Sequence, residues 1–177
     1  RAFHRGADWS WDAASMAQLS QRAENRWVGV NCGIMDQMIS ACGKDGHALL
    51  LDCRSLQGQH VPLPDEVAVV VLDTSTRRGL VDSYYNERRA QCEVAARFFS
   101  VGVLRDVDEE TFANRMHALD ETPRRRARHV ISENARTERA AEAMRQGDAR
   151  ALGLLLNESH VSLRDDFSVS SEALDAM

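Results

Sequence analysis

The sequence predicts an α+β protein in which helices dominate the second half. Two aliphatic runs, HALLLDC at 47–53 and VAVVVLD at 67–73, have the length and composition of strands. After Gly79 the apolar residues recur three or four positions apart, the spacing of a helix that buries one face. The fold class therefore follows from two strand-like runs and a long helical second half.

The first half of the chain is predicted to contain two helices and two strands, over residues 11–25, 34–42, 47–53 and 59–63. Ser10 or Asp12 can cap the first helix. A turn flanked by Gly29 and Gly33 separates the two helices, and Gly43 ends the second helix. Proline interrupts the chain at 62 and 64, so we place the candidate domain boundary there.

The second half opens with the predicted strand at 67–73 and continues with helices. These helices are predicted over 81–99, 108–119 and 122–146, with a further one after Asp148. Asp108 and Asp148 are typical N-caps, and Thr122 followed by Pro123 is a helix-start signal. Gly147 is placed to end the long helix.

Composition excludes several functional classes. The formal charge is −5, so no general attraction draws the chain to nucleic acid or to an anionic membrane. No apolar run is long enough to span a bilayer. The four cysteines form no CxxC pair, which favours free thiols and a cytoplasmic protein.

The segment at 22–37, RAENRWVGVNCGIMDQ, carries the most chemical information. A glycine turn enters a helix there, and a helix N-terminus presents unpaired N–H groups and a positive dipole end. Asp36 falls in the first turn, where a carboxylate stays ionised and can accept a hydroxyl proton. On residue physics alone, the commoner role of such an acid is to complement the helix dipole.

Five blocks of sequence resemble galactokinases, members of a superfamily of sugar and small-metabolite kinases that also includes homoserine and mevalonate kinases. The blocks are NCGIMDQMISACG at 31–43, HALLLDCRSL at 47–56, RRGLVDSYYNERRAQCEVAARF at 77–98, RRARHVISENARTERAAEAM at 125–144 and NESHVSLRDDFSVSSEALDAM at 157–177. They run in the family's order over nearly the whole chain, which makes the resemblance more specific than one short motif.

The resemblance implies the roles of five residues. Asp36 would be the catalytic base that takes a proton from the anomeric hydroxyl of galactose as that oxygen attacks the γ-phosphate of ATP. Cys32 and Gly33 would lie with Asp36 against the sugar, and Tyr85 would bind it from the second domain. Glu24 would complete an Mg²⁺ site. Without the family context, the residues themselves support these roles less strongly. Glu24 could be a solvated acid at a helix end, and Tyr85 could be an ordinary core residue.

The resemblance also implies a two-domain kinase with its active site in the cleft between the domains. Residues 1–64 would end the nucleotide- and sugar-binding domain, and residues 65–177 would begin a ferredoxin-like C-terminal domain with added helices. The family's N-terminal sugar motif, ATP loop and C-terminal glycine-rich motif do not occur in the chain. We therefore expect a central fragment that is inactive alone, and a monomer when complete.

Two alternatives remain open at this point. The protein could be a related kinase acting on N-acetylgalactosamine or arabinose, or a galactose-sensing regulator that binds sugar and ATP without turnover.

Other candidate residues have simpler interpretations. The basic cluster Arg124, Arg125, Arg126 and Arg128 is typical of a solvated helix face rather than a nucleic-acid site. His129 and His160 have no cysteine or histidine one helical turn away, which favours surface or core positions over metal binding. The thiol of Cys32 has no evident histidine partner for nucleophilic chemistry.

Overall fold

A computed structural model describes residues 12–29, 32–65, 67–75 and 83–177, apart from the side chains of residues 83–85. The chain divides into two compact units, Arg1–Leu63 and Pro64–Met177. The assignment of 1–64 and 65–177 to the two domains of a kinase stays a prediction. No helix in the described part of the chain is long and apolar enough to cross a membrane.

The first unit contains two helices followed by a hairpin. The elements are α1 (Ala13–Ala23), a π-helical turn (Glu24–Val28), α2 (Met35–Cys42), β1 (His47–Leu51) and β2 (Gly58–Pro62). Strands β1 and β2 are antiparallel, with His47 opposite Pro62 and Leu51 opposite Gly58. The predicted helices and strands of this half are confirmed, with boundaries shifted by a few residues.

A small apolar core holds the first unit together. Ala17 from α1 and Met38 from α2 are buried with Ile34, and Leu49 and Leu51 of β1 pack against them. Asp12 caps α1 by accepting a hydrogen bond from the backbone N–H of Ala14, as its side chain predicts. This core therefore packs α1 against α2.

The described residues of the second unit form helices α3 to α7 with short helical turns between them. The helices are α3 (Ser83–Phe98), α4 (Glu109–Arg115), α5 (Glu121–Arg145), α6 (Ala149–Ser162) and α7 (Glu172–Asp175). The turns are Leu104–Asp106, Met116–Ala118 and Leu163–Phe167, the last of which is π-helical. Asp108 and Asp148 cap α4 and α6 through the N–H groups of Thr111 and Ala151, as predicted.

The core of the second unit lies among α3, α4 and α5. Ala95, Phe99, Phe112, Ala127 and Ile131 are buried in one cluster. Phe99 packs at right angles to the ring of Phe98, with the ring centroids 4.9 Å apart. Cys92, Ala96 and Phe99, spaced four and three positions apart, lie in or against this core, which confirms the helical period over the described residues.

The predicted strand at 67–73 is wrong. The described residues 67–75 contain no strand, and the side chains of Val69, Val70 and Val71 are 77%, 73% and 88% exposed. β-Branched composition favours an extended chain, but a strand also needs a hydrogen-bonded neighbour. No neighbouring strand pairs with this run among the described residues, so its composition alone does not produce a sheet.

The predicted start of α5 at Thr122 and Pro123 is also shifted. The helix begins at Glu121, and Asp120 is its N-cap without a side-chain capping bond. Pro123 is then the third helical residue, which the helix tolerates because the first N–H groups have no intrahelical partner. The elements together confirm the α+β class, with the strands of the described residues in the first unit.

Candidate active site

The π-helical turn Glu24–Val28 extends α1 and begins with Glu24, one of the candidate site residues. The backbone N–H of Gly29 donates to the carbonyl of Glu24 at 3.1 Å, which closes the wider turn. Gly29 has φ +79°, a left-handed conformation that glycine adopts without strain. Single π-helical turns are frequent at functional sites. Residues 30 and 31 of the predicted glycine-flanked turn lie outside the described residues.

Asp36 lies in the first turn of α2, as predicted, and its side chain is exposed. The hydroxyl of Ser40 donates to its backbone carbonyl at 2.7 Å, and Ile34 and Met38 on either side are only 7% and 2% exposed. Within the described residues the carboxylate has no hydrogen-bond donor. Ile34 and Met38 thus hold the start of α2 in the core, while the carboxylate of Asp36 is exposed and able to accept a proton.

Glu24 and Cys32 meet at the end of α1. The thiol of Cys32 donates to Oε2 of Glu24 at 3.0 Å and lies 3.4 Å from Oδ1 of Asn25. The side-chain amide of Gln21 donates to the carbonyl of Cys32 at 3.1 Å. Glu24 and Cys32, both predicted to be functional, are therefore in direct contact, and Gln21 of α1 holds the backbone at Cys32.

The environment of Cys32 keeps its thiol protonated. Burial raises the pKa of Cys32 above its ordinary value of 9.0, and the Glu24 carboxylate raises it further because a negative charge opposes thiolate formation. A protonated thiol is a hydrogen-bond donor and a poor nucleophile. This agrees with the expectation that Cys32 is not a catalytic nucleophile.

Gln37 joins the same cluster and was not predicted. Its Nε2 donates to Oε2 of Glu24 at 2.7 Å and lies 3.8 Å from the sulfur of Cys32. Its Oε1 is buried and has no hydrogen-bond donor among the described residues. The only sequence signal was that Gln37 follows Asp36, because the contact requires the packing of α1 against α2.

The structure gives less on the other two predicted sugar contacts. Gly33 is exposed, one residue from Cys32, at the approach to α2. The backbone of Tyr85 lies in the first turn of α3, but its side chain lies outside the described residues. The roles of Cys32, Gly33 and Tyr85 in sugar binding stay predictions.

The basic cluster at the start of α5 departs from its predicted solvated face. Arg126 is 6% exposed, and its Nε donates to Oε1 of Gln91 at 2.8 Å. Arg128 pairs with Asp166 at 2.9 Å. The solvated-face interpretation is therefore wrong for Arg126, because partners from α3 and from the turn after α6 replace its water.

The two histidines occupy the kinds of position that the sequence favours. His129 is 6% exposed, and its ring nitrogen Nδ1 lies 2.9 Å from the hydroxyl of Ser162. His160 is partly exposed on α6, with Nε2 3.2 Å from the carboxylate of Asp175. No cluster of three His, Cys, Asp or Glu side chains suited to a metal ion occurs in the described ranges.

A solved structure is similar to this chain over almost its whole length. No sequence-family model matches it. A crystal structure of Lactococcus lactis galactokinase complexed with galactose is similar, with a TM-score of 0.88 and 36% sequence identity. The similarity covers 95% of this chain, while the chain spans 45% of that galactokinase chain. The predicted resemblance to galactokinase is confirmed.

Proposed function

The chain has the fold of a sugar kinase of the galactokinase kind, and from that premise we propose that the protein phosphorylates D-galactose with ATP. The product would be galactose 1-phosphate, formed at the anomeric hydroxyl. One observation carries the proposal: the exposed Asp36 lies in the first turn of α2, and Gln37, the next residue, bonds Glu24. The carboxylate of Asp36 is thereby exposed beside a residue, Gln37, that holds the carboxylate of Glu24.

In this proposal Asp36 is the general base. It accepts the proton of the anomeric hydroxyl as the oxygen bonds to the γ-phosphorus of ATP. The bond from that phosphorus to its bridging oxygen breaks, and ADP leaves with the electron pair. Phosphoryl transfer depends mainly on positioning and charge neutralisation, so one acid that directs one hydroxyl suits the reaction.

Glu24 is the proposed ligand for Mg²⁺. Magnesium in nucleotide sites uses one or two protein carboxylates together with phosphates and water, so a single carboxylate fits its donor set. Oε1 of Glu24 accepts no hydrogen bond within the described residues, and Glu24 is exposed, so this oxygen is open to a cation. When bound, the metal would neutralise phosphate charge.

The remaining proposed roles concern the sugar and the compartment. Cys32 and Gly33 would border the galactose through their backbone, and Tyr85 would contact it with its hydroxyl. The four cysteines at 32, 42, 53 and 92 are free. Free thiols suit a reducing compartment, which supports our proposal of a cytoplasmic enzyme.

An assay of the protein expressed from its whole gene tests the proposed reaction. ADP release is measured with ATP, Mg²⁺ and each of D-galactose, N-acetylgalactosamine and arabinose, and ³¹P NMR identifies the product. We expect the highest kcat/KM with galactose and a 1-phosphate product. A preference for another sugar would contradict galactose as the substrate, and binding of sugar and ATP without turnover would favour a sensor.

A further inference from the structure

We propose that Gln37 and Cys32 are positioning residues that hold the Glu24 carboxylate for the metal–nucleotide complex. The inference rests on the proposed function, because it assigns a purpose to the contacts of the proposed magnesium ligand. Both side chains direct a hydrogen-bond donor to the same oxygen, Oε2 of Glu24, at 2.7 Å and 3.0 Å.

The contacts fix the orientation of the carboxylate. A carboxylate only accepts hydrogen bonds, so the nitrogen of the Gln37 amide must face Glu24. With Oε2 engaged twice, Oε1 is the oxygen left without a hydrogen bond among the described residues. Partners of this kind orient metal ligands in many proteins, and their loss typically weakens metal binding about 10- to 100-fold.

Gln37 is committed to Glu24 rather than to its own helix. It is the third residue of α2, where a glutamine often uses its side-chain oxygen to cap the N-terminal backbone N–H. Here that oxygen is buried without a donor in the described chain, and no capping bond forms. The side chain therefore leaves a local stabilising contact unmade and bridges to α1 instead.

Both positioning residues have rigid supports. Gln37 precedes Met38, which is 2% exposed in the core of the first unit. Cys32 is fixed through its carbonyl, which accepts the amide of Gln21 on α1. The two donors to Glu24 are thus held by the core beneath α2 and by a hydrogen bond from α1.

The test measures binding as well as activity in the protein expressed from its whole gene. Titration calorimetry gives the affinity for ADP at a series of Mg²⁺ concentrations. In Gln37→Met, which keeps the length but loses the donor, the half-saturating Mg²⁺ concentration should rise about tenfold. ADP binding without Mg²⁺ and the KM for galactose should stay unchanged. Gln18→Met is the matched control, since Gln18 is exposed on α1 and makes none of these contacts.

A second pair of variants tests the inference independently should Gln37→Met fail to fold. Cys32→Ala should also raise the half-saturating Mg²⁺ concentration. Cys32→Ser, which keeps a donor, should return that concentration most of the way to the wild-type value. Wild-type Mg²⁺ dependence in both Gln37→Met and Cys32→Ala would overturn the inference while leaving the proposed reaction intact. A wild-type protein that binds Mg²⁺–ADP without phosphorylating sugar would instead contradict the reaction alone.

Discussion

The buried histidine of the second unit shows how surroundings set the charge of a single side chain. The ring of His129 lies 4.5 Å from that of Phe167, measured between centroids, and Nδ1 meets the hydroxyl of Ser162. Burial lowers the pKa of His129 below its ordinary value of 6.5. The charged groups that act on it are Glu133 and Asp166, which raise the pKa, and Arg136 and Arg126, which lower it.

This lowered pKa predicts a pH dependence of stability. Below about pH 6.5 the unfolded chain binds a proton at this histidine that the folded chain binds less readily, so stability falls as pH falls. His129→Gln removes the titration. Urea unfolding between pH 5.5 and 8 should show the wild-type protein losing stability relative to the variant at the acid end. A constant difference across that range would contradict the assignment.

Single residues were predicted well where their surroundings are local. Asp36 in a first helical turn and Asp108 and Asp148 as caps follow from a few neighbouring residues. Gln37 was missed because its partner, Glu24, lies thirteen positions away on another element. Arg126 was misread for the same reason, since its partner Gln91 is on α3.

At the scale of elements, one arginine ties three segments of the second unit together. Arg126 on α5 contacts Gln91 on α3 and, through Nη1 at 3.0 Å, the hydroxyl of Ser168 that follows the turn Leu163–Phe167. Its Nη1 also donates to the carbonyl of Asp166. Arg88 on α3 adds a bond to the carbonyl of Ser168 at 3.3 Å. The turn is therefore anchored from two helices.

Removing this arginine should destabilise the second unit. Arg126→Met retains much of the side-chain volume but removes the charged donor of three hydrogen bonds, which should lower the free energy of unfolding by about 2–3 kcal/mol. Urea denaturation of the protein expressed from its whole gene measures the loss. Arg150→Met, at an exposed position of α6, is the control and should change stability by less than about 0.5 kcal/mol. Equal effects of the two substitutions would refute an anchoring role.

Element prediction succeeded where the signal was contained in the element itself. The helical period and the caps predicted α1 to α6, and the segments at 47–53 and 59–63 were predicted as strands, with small boundary shifts. The run at 67–73 failed because a strand depends on a neighbour, which composition does not reveal. Its Val69–Leu72 segment leaves four apolar side chains in succession exposed.

For the whole molecule, the kinase assignment depends on the order of several sequence blocks and on a shared fold. The chain matches a solved galactokinase over 95% of its own length and 45% of the other's. Physical chemistry made Asp36 a candidate base, and only the resemblance favours that role over helix-dipole compensation. The central claim is therefore that this exposed acid removes the proton from the sugar.

The most direct test replaces Asp36 by Asn in the protein expressed from its whole gene and measures galactose phosphorylation beside nucleotide binding. Loss of a general base should lower kcat by about 100-fold or more while leaving the affinity for ATP unchanged. Asp45→Asn, in the exposed turn after α2, is the matched control and should turn over at the wild-type rate. Undiminished phosphorylation in Asp36→Asn would contradict the account.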